Sequence, residues 1–290
     1  MSPSRTRQIA RCCTFLMLAL VAGINQAADW SDVAIDWSGG ERFREPYNSS
    51  EIHKNILSLT WVSGYRYGTQ FFDLDVLKSD HSDPASPGSR NGAVETYATY
   101  RYTLDLGKVA DRDLGFGPVR GLGLTGGFDW NMKHDVDYNS RKRMLVLGPS
   151  LLWNVPGHFN TAVLMAWESN APHGPYPPIS EVQGRYYYKA HPMLAMDWGI
   201  PLGAHWSFEG YANYIAAKGI NEIGQATGPE TDVDMRILLD AGELLGARKH
   251  RFLAGVEYQY WRNKFGNTRI GTDGQGYVAN TPMLRMEYHF

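Results

Sequence analysis

The sequence predicts an all-β protein, a single domain folded as a transmembrane antiparallel β-barrel of about twelve strands. Three observations support this. Segments of about ten residues alternate between apolar and polar side chains, and the connections between them alternate between short and long. Aromatic residues make up 13% of a chain whose mean hydropathy is only −0.37. In a barrel only alternate residues face lipid, so such a chain crosses a membrane without a continuous apolar run.

The first element, residues 1–27, is predicted to be a secretory signal peptide. Arg5, Arg7 and Arg11 precede an apolar run from Cys12, and the small residue Ala27 follows. The apolar run is too short for a spanning helix, and the order of basic, apolar and small residues is typical of exported proteins. We expect cleavage after residue 27, or else one residue later, and a barrel over residues 28–290.

The composition of residues 28–290 limits the classes of protein to which this chain can belong. Both cysteines lie at positions 12 and 13, so the mature protein carries no thiol. Removing the three arginines of residues 1–27 from 28 Lys and Arg leaves 25 against 30 Asp and Glu, a net charge of −5. A nucleic-acid binder would normally be basic, so none is expected as a partner. No run of 15 apolar residues follows the signal, which argues against a helical membrane protein.

The predicted strands each have one apolar and one wet face. Glu95, Arg101 and Asp105 oppose Tyr100 and Tyr102 in one of them, and a closed soluble core would not accept such charges unpaired. An even number of antiparallel strands also lets the last pair with the first and removes the exposed edges. The twelve segments lie near 33–43, 53–66, 68–78, 93–106, 119–132, 142–154, 159–168, 182–200, 205–217, 232–241, 250–262 and 281–290.

The lengths of the connections distinguish a membrane barrel from a soluble β-sandwich. In a sandwich the polar face of each strand would lie on the outside of the protein. A membrane barrel has short turns at one end and longer loops at the other, and these alternate here. The short ones span 63–68, 154–158, 201–205 and 244–250, and the long ones, rich in Gly, Pro and Asp, span 79–92, 169–181, 223–231 and 267–278.

The last predicted strand, LRMEYHF, places its apolar side chains toward lipid and lipopolysaccharide of an outer membrane. Arg285, Glu287 and His289 then face the lumen. We expect this strand to close the ring against the first one. Its terminal Phe290 resembles the signal by which such barrels are handed to the barrel assembly machinery.

Motifs that could indicate chemistry are weak. GLGLTG, residues 121–126, matches a dinucleotide-binding string but no helix follows it, so no cofactor is predicted. SDHSDP and KHDVDYN offer oxygen ligands at a spacing that does not fit a calcium loop, so no metal is predicted either. His205 and Ser207 are neighbours, but their spacing does not identify a nucleophile, and no catalytic residue is assigned.

The predicted lumen combines charges of both signs with aromatic rings. This mixture suits a narrow pore for a small, flat, polar solute, whose faces stack on rings and whose edges bond charged groups. Alternatively, these groups pair with one another and only hold the wall. The candidate solute-binding residues are Arg42, Phe43, Phe71, Asp73, Asp75, Glu95, Arg101, Arg185, Tyr187, Lys189, Glu209, Tyr211, Arg236, Glu257 and Arg285.

Four spaced segments resemble the nucleoside-specific channel-forming outer-membrane proteins, the Tsx and OmpK group. They are ERFREPYNS, DLGFGPVRG, MLVLGPSLLWNVP and RFLAGVEYQYWRNKFG. The resemblance implies a monomeric twelve-stranded barrel that passes nucleosides and whose surface loops bind phages or colicins. It places Arg42 and Phe43 in the nucleoside site and matches QFFDLDV to a segment with acidic lumen residues. GLGLTGG replaces bulkier residues of the family, and the third strand has fewer lumen-side aromatics, which bears on substrate preference.

The leading functional expectation is therefore an outer-membrane channel of a Gram-negative cell, open to passive diffusion of small polar solutes, with nucleosides first among them. Two alternatives stay open. One is an outer-membrane hydrolase that modifies lipid, and the other is a structural or phage-receptor barrel with a blocked lumen.

Overall fold

A computed structural model of the chain describes residues 28–83, 91–268 and 278–290, and these form strands almost throughout. Two short helices, α1 (Leu106–Ala110) and α2 (Ala241–Leu244), and two 3₁₀ turns, Ile179–Glu181 and Lys264–Gly266, interrupt them. The strands are β1 (Trp30–Glu45), β2 (Asn48–Tyr65), β3 (Gly68–Ser79), β4 (Val94–Asp105), β5 (Val119–His134), β6 (Arg141–Trp153), β7 (His158–Asn170), β8 (Tyr186–Tyr187), β9 (His191–Pro201), β10 (Trp206–Ile215), β11 (Glu230–Asp240), β12 (Phe252–Arg262) and β13 (Val278–His289). Neither helix in the described part of the chain is long and apolar enough to cross a membrane.

The twelve long strands close into one antiparallel ring. Each pairs with its neighbours in the sequence, β7 pairs directly with β9, and the two-residue β8 extends only the end of β7. Closure comes from β1 and β13, whose contact runs from Ala34 opposite His289 to Gly40 opposite Met283. The predicted barrel of twelve strands is therefore confirmed. One predicted segment, 182–200, is two strands, because the chain leaves the ladder between β8 and β9.

The two ends of the barrel differ in their connections. At one end, here called the terminal end, lie the start of β1 and the end of β13; the opposite end is called the loop end. The predicted short turns lie at the terminal end and the long loops at the loop end, with two exceptions. Strands β1 and β2 are joined at the loop end through Pro46 and Tyr47 alone, and residues 106–118 with α1 join β4 to β5 at the terminal end. Parts of two predicted loops, 84–90 and 269–277, and the predicted signal peptide lie outside the described residues.

The outer surface of the barrel is apolar, with aromatic side chains toward both ends. In β13, Leu284 and Met286 are exposed while Arg285 and Glu287 between them are buried inside. Aliphatic side chains fill the outer face at mid-height, and exposed aromatics form one belt near each end. The terminal-end belt includes Trp30, Trp61, Trp206 and Tyr288, and the loop-end belt includes Trp130, Trp167, Tyr214 and Tyr258. Two such belts around an apolar band are typical of barrels that cross a bilayer.

The inner face is not uniformly polar, in contrast to the expectation from sequence. The wall formed by β6, β7, β9 and β10 carries a buried apolar cluster that contains Met144, Val146, Leu164, Met193 and Ile215. The opposite wall, from β11 through β13 and β1 to β3, carries most of the charged groups described below. Alternation alone did not reveal this, because the inner positions of β6 and β7 hold apolar residues on the same face as Lys142 and Glu168.

Candidate functional site: the lumen of the barrel

The loop end of the lumen holds an interlocked group of charges, here called the loop-end cluster: Glu45, Lys54, Asp83, Glu95, Lys133 and Lys264. At its centre is Lys54, which is only 1% exposed. Its Nζ lies 2.5 Å from Glu45 and 3.5 Å from Glu95, and Lys133 Nζ lies 2.6 Å from Asp83. Because these charges are withdrawn from water, each depends on its partners for compensation.

Lys264 joins this cluster from the end of β12, which is separated from β1 by β13 alone. The residues Asn263–Gly266, here called the inward turn, follow β12, and positive φ angles at Asn263 (54°) and Phe265 (60°) direct the chain inward. Lys264 Nζ then reaches Glu45 of β1 at 2.8 Å and, across the lumen, Glu95 of β4 at 3.7 Å. Burial alone would lower the pKa of Lys264, but the carboxylates of Glu45 and Glu95 raise it on balance. The inward turn therefore bridges the lumen by an ion pair.

Phe265, the next residue, extends this bridge toward β6. Its ring centre lies 4.0 Å from Lys142 Nζ, and its backbone N–H donates to Glu230 Oε1 at 2.9 Å. A cation at this distance from a ring is attracted by the ring's negative face. Below the ring is a cavity of about 30 Å³, lined among others by Tyr97, Asp129, Met144 and Phe265.

A second buried group at the loop end surrounds Tyr188. Lys218 Nζ lies 2.5 Å from Glu168 and 4.6 Å from the centre of the Tyr188 ring. The Tyr188 hydroxyl donates a hydrogen bond to Glu222. Burial would raise the pKa of Glu222, but Lys142 and the hydrogen bond from Tyr188 hold it below its usual range. Loop 216–229 is thereby fastened to the barrel wall.

At mid-height, two arginines organise the charged wall. Arg285 of β13 lies 2.7 Å from Asp36, 2.5 Å from Glu287 and 3.3 Å from Glu257. Arg236 of β11 lies 3.2 Å from Glu209 and 3.5 Å from Glu287. Both guanidinium groups are thus held by several carboxylates of their own or nearby strands.

A third arginine depends on a glycine. Arg101 of β4 binds Asp129 of β5 through two bonds of 2.8 Å, and it also donates to the carbonyl groups of Tyr100 and Phe128. Gly127 lies opposite Arg101 in the ladder, and a Cβ there would collide with the Tyr100 carbonyl oxygen and meet Arg101 Cδ at 3.0 Å. The absence of a side chain at Gly127 therefore leaves room for both the Tyr100 carbonyl and the Arg101 side chain.

Four carboxylates at mid-height have no basic partner, and we call them the acidic strip: Asp73, Asp75, Asp232 and Asp234. Among the residues that the structure describes, no Lys or Arg nitrogen lies within 4.0 Å of any of them. Asp73 and Asp75 accept from the hydroxyls of Thr60 (2.6 Å) and Ser58 (2.5 Å). Tyr211 donates to Asp232 Oδ2 at 3.2 Å, while Oδ1 of Asp232 and Oδ1 of Asp234 are buried without a hydrogen-bond partner.

Most of the predicted solute-binding residues lie on the inner face. Phe43 is buried against Ile52 and Met283, with Lys54 Nζ 5.6 Å from its ring centre. Phe71 is partly exposed, two residues from Asp73 on the same face of β3. The others there are Asp73, Asp75, Glu95, Arg101, Glu209, Tyr211, Arg236, Glu257 and Arg285.

Four predicted residues lie elsewhere, which corrects their placement. Arg42 is exposed at a bulge of β1, with φ of 70°, where the register shifts between Gly40 and Phe43. Arg185, Tyr187 and Lys189 precede β9 instead of lining its inner face.

The reason is that β9 begins only at His191. Arg185 bonds the carbonyl of Arg141 and the hydroxyl of Ser169, and Tyr187 is 72% exposed. The neighbouring Tyr188 is the one that turns inward.

Several inner residues were not predicted from the sequence. Asp36, Lys54 and Asp232 sit at alternating positions within predicted strands or at their borders, so period-2 counting could have found them. Lys264 lies in a connection, and no periodic pattern points to a loop residue that folds back into a lumen.

The residues considered for a lipid hydrolase do not form a lipid-facing pair. Ser207 Oγ donates to Glu209 at 2.7 Å, which places it on the inner face of β10. Within residues 28–83, 91–268 and 278–290, no group of three or more His, Cys, Asp or Glu side chains could hold a metal ion.

Comparisons with known proteins return only distant structural likenesses. No protein-family model matches the chain, and no curated protein matches it. The translocator domain of the autotransporter NalP from Neisseria meningitidis is 11% identical, covers 99% of this chain and 98% of that one, and has a TM-score of 0.47. The NanC porin is 10% identical over 88% and 98% of the two chains, also at 0.47. An outer-membrane channel from Pseudomonas putida F1 is 9% identical over 91% and 97%, again at 0.47.

Likenesses at this level carry no argument about function. The barrel assignment rests on the strand pairing itself. Membership of the nucleoside-specific channel family stays a prediction, and the function has to be argued from the lumen.

Proposed function

We propose that the protein is an outer-membrane channel for passive diffusion of small polar solutes, with nucleosides as the leading substrates. The observation that carries this proposal is the inner surface of β3, β4, β10 and β11. There Tyr97 lies opposite Asp75 in the β3–β4 ladder, and Tyr211 donates a hydrogen bond to Asp232. Rings and carboxylates in alternation would give a flat, hydroxyl-bearing solute many weak contacts, which favour passage over retention.

The location follows from the outer face. The aliphatic band between two aromatic belts would contact outer-membrane lipid, and lipopolysaccharide at the loop end. A closed ring leaves no long strand edge for pairing with another chain, which favours a monomer. Delivery by the barrel assembly machinery, and phage or colicin binding at the loops, extend the proposal on the strength of the sequence resemblance.

Liposome swelling tests the substrate. Purified protein in vesicles should admit nucleosides faster than sugars of similar size. Replacing Tyr211 with Ala should reduce that difference, whereas Tyr187→Ala, an exposed aromatic outside the lumen, should not. Equal rates for nucleosides and sugars would instead indicate a general pore.

One observation favours a second candidate, a structural or receptor barrel with a blocked lumen. The loop-end cluster and the inward turn lie inside the lumen, and the cavity lined by Phe265, about 30 Å³, has room for about one water molecule. This candidate predicts essentially no conductance across a planar bilayer. Steady single-channel currents from the purified protein would eliminate it.

A further inference from the structure

We propose that the acidic strip is a binding site for a positively charged group, and that the lumen passes monovalent cations and ammonium-bearing solutes in preference to anions. This inference rests on the proposed channel function and names the charge class that the channel selects. Its site is the part of the lumen where Asp73 and Asp75 of β3 face Asp232 and Asp234 of β11.

The first argument is the balance of charge at mid-height. All three arginines there are already engaged: Arg101 by Asp129, Arg236 by Glu209 and Glu287, and Arg285 by Asp36, Glu257 and Glu287. None of them is within 4.0 Å of the acidic strip. Carboxylates without a basic partner add negative charge to the lumen when they are ionised, and this charge concentrates cations and repels anions.

The second argument is independent of the count of charges and concerns two oxygen atoms. Asp232 is 9% exposed and Asp234 is 4% exposed, and Oδ1 of each has no hydrogen-bond partner. Buried polar atoms are nearly always bonded, because an unbonded one forfeits its interactions with water. A permeating ammonium group or hydrated cation would supply the missing donor or charge.

The third argument is the composition of the surrounding groups. Asp73 and Asp75 meet only the neutral hydroxyls of Thr60 and Ser58. Tyr97 lies opposite Asp75 in the ladder of β3 and β4, and Tyr211 donates to Asp232. Since β3 and β11 are five strands apart in the ring of twelve, these two walls face each other across the lumen. Rings of carboxylates around a pore are the side-chain groups that select cations.

The geometry favours a monovalent cation over a divalent metal. A divalent ion needs several oxygen ligands drawn tightly together, and the described part of the chain has no cluster of three acidic or histidine side chains that could hold a metal. Carboxylates on two separate walls suit a monovalent cation, which makes a few contacts there and then continues through the lumen.

Planar-bilayer recordings in a KCl gradient test the inference directly. The reversal potential should have the sign expected for K⁺ permeating faster than Cl⁻. The double variant Asp232→Asn and Asp234→Asn should lower the permeability ratio of K⁺ to Cl⁻ several-fold, and Asp75→Asn should lower it less. Glu51→Gln is the matched control, because it removes an exposed carboxylate at the loop end; it should leave the ratio unchanged.

The outcomes separate the inference from the proposed function. A conducting wild-type barrel with no cation preference overturns the inference and leaves the channel intact. A double variant that keeps the wild-type ratio also overturns it. Wild-type protein that inserts and conducts no current overturns both. The wild-type reversal potential gives the decision even where a variant fails to fold.

Discussion

The loop-end cluster and the acidic strip are built from the same side-chain types and differ in how these are paired. In the loop-end cluster each lysine lies between two or more carboxylates, and Lys54 is almost completely buried. In the acidic strip, Asp73, Asp75 and Asp232 accept hydrogen bonds from hydroxyl groups. Oδ1 of Asp232 and Oδ1 of Asp234 are buried without a hydrogen-bond partner. Buried, paired charges specify one arrangement of the wall. Carboxylates without basic partners remain available to a solute. The loop-end cluster therefore stabilises the wall, and the acidic strip selects the solute.

The largest expected effect comes from breaking the loop-end cluster. Lys54→Met would leave Glu45 and Glu95 buried with less compensation, so we expect the free energy of unfolding to fall by about 3–5 kcal/mol. Urea unfolding of the barrel in lipid vesicles, followed by tryptophan fluorescence, measures this change.

The matched control is Arg44→Met, since Arg44 pairs at 2.8 Å with the exposed Glu51 at the same end. Removing an exposed pair should cost roughly 0–1 kcal/mol. Equal losses in the two variants would mean that the loop-end cluster does not hold the wall.

The next effect should appear in conductance. Phe265→Ala removes a ring that contacts Lys142 and lines the cavity of about 30 Å³, so the lumen should widen beside the inward turn. We expect a higher single-channel conductance with the K⁺ preference retained, because the acidic strip is untouched. Tyr187→Ala, an exposed aromatic at the same end, is the control, and an unchanged conductance in Phe265→Ala would show that the inward turn does not limit passage.

Sequence patterning predicted the ring but not the side chains that meet inside the lumen at the loop end. Period-2 alternation located all twelve long strands and the inner positions of residues such as Arg285 and Glu257, because the pleat alone decides those faces. It failed at Arg185, Tyr187 and Lys189, where the strand had not yet begun. It could not find Lys264, whose position depends on the backbone turn at Asn263 and on partners far away in the chain.

The acid–base behaviour of the loop end provides a third prediction. The pKa of Glu222 is held below its ordinary value of 4.5, so its contribution to stability is present above that value and is lost as the pH falls through the folded pKa. The pKa of Lys264 is raised above 10.5, so its contribution is present below that value and is lost as the pH rises through the folded pKa.

The loops should therefore loosen at both extremes of pH, and conductance should rise in both directions from neutrality. Recordings across a pH series measure this. Glu222→Gln should remove the rise in acid while keeping the rise in base. A rise in acid that persists in this variant would assign it to another group.

The smallest effect should come from the neutral contacts of the acidic strip. Tyr211→Phe deletes the one hydroxyl that donates to Asp232, and a single neutral hydrogen bond contributes roughly 0.5–1.5 kcal/mol to stability. The same change frees a second oxygen of Asp232, so the K⁺ preference should rise slightly while stability falls slightly. Tyr258→Phe is the matched control, because its hydroxyl donates to Asn280 on the outer face; it should lose similar stability with no change in reversal potential. If Tyr211→Phe instead lowered the K⁺ preference, the hydroxyl would be part of the cation site. Tyr211 would then contribute both to the stability of the wall and to the selection of cations.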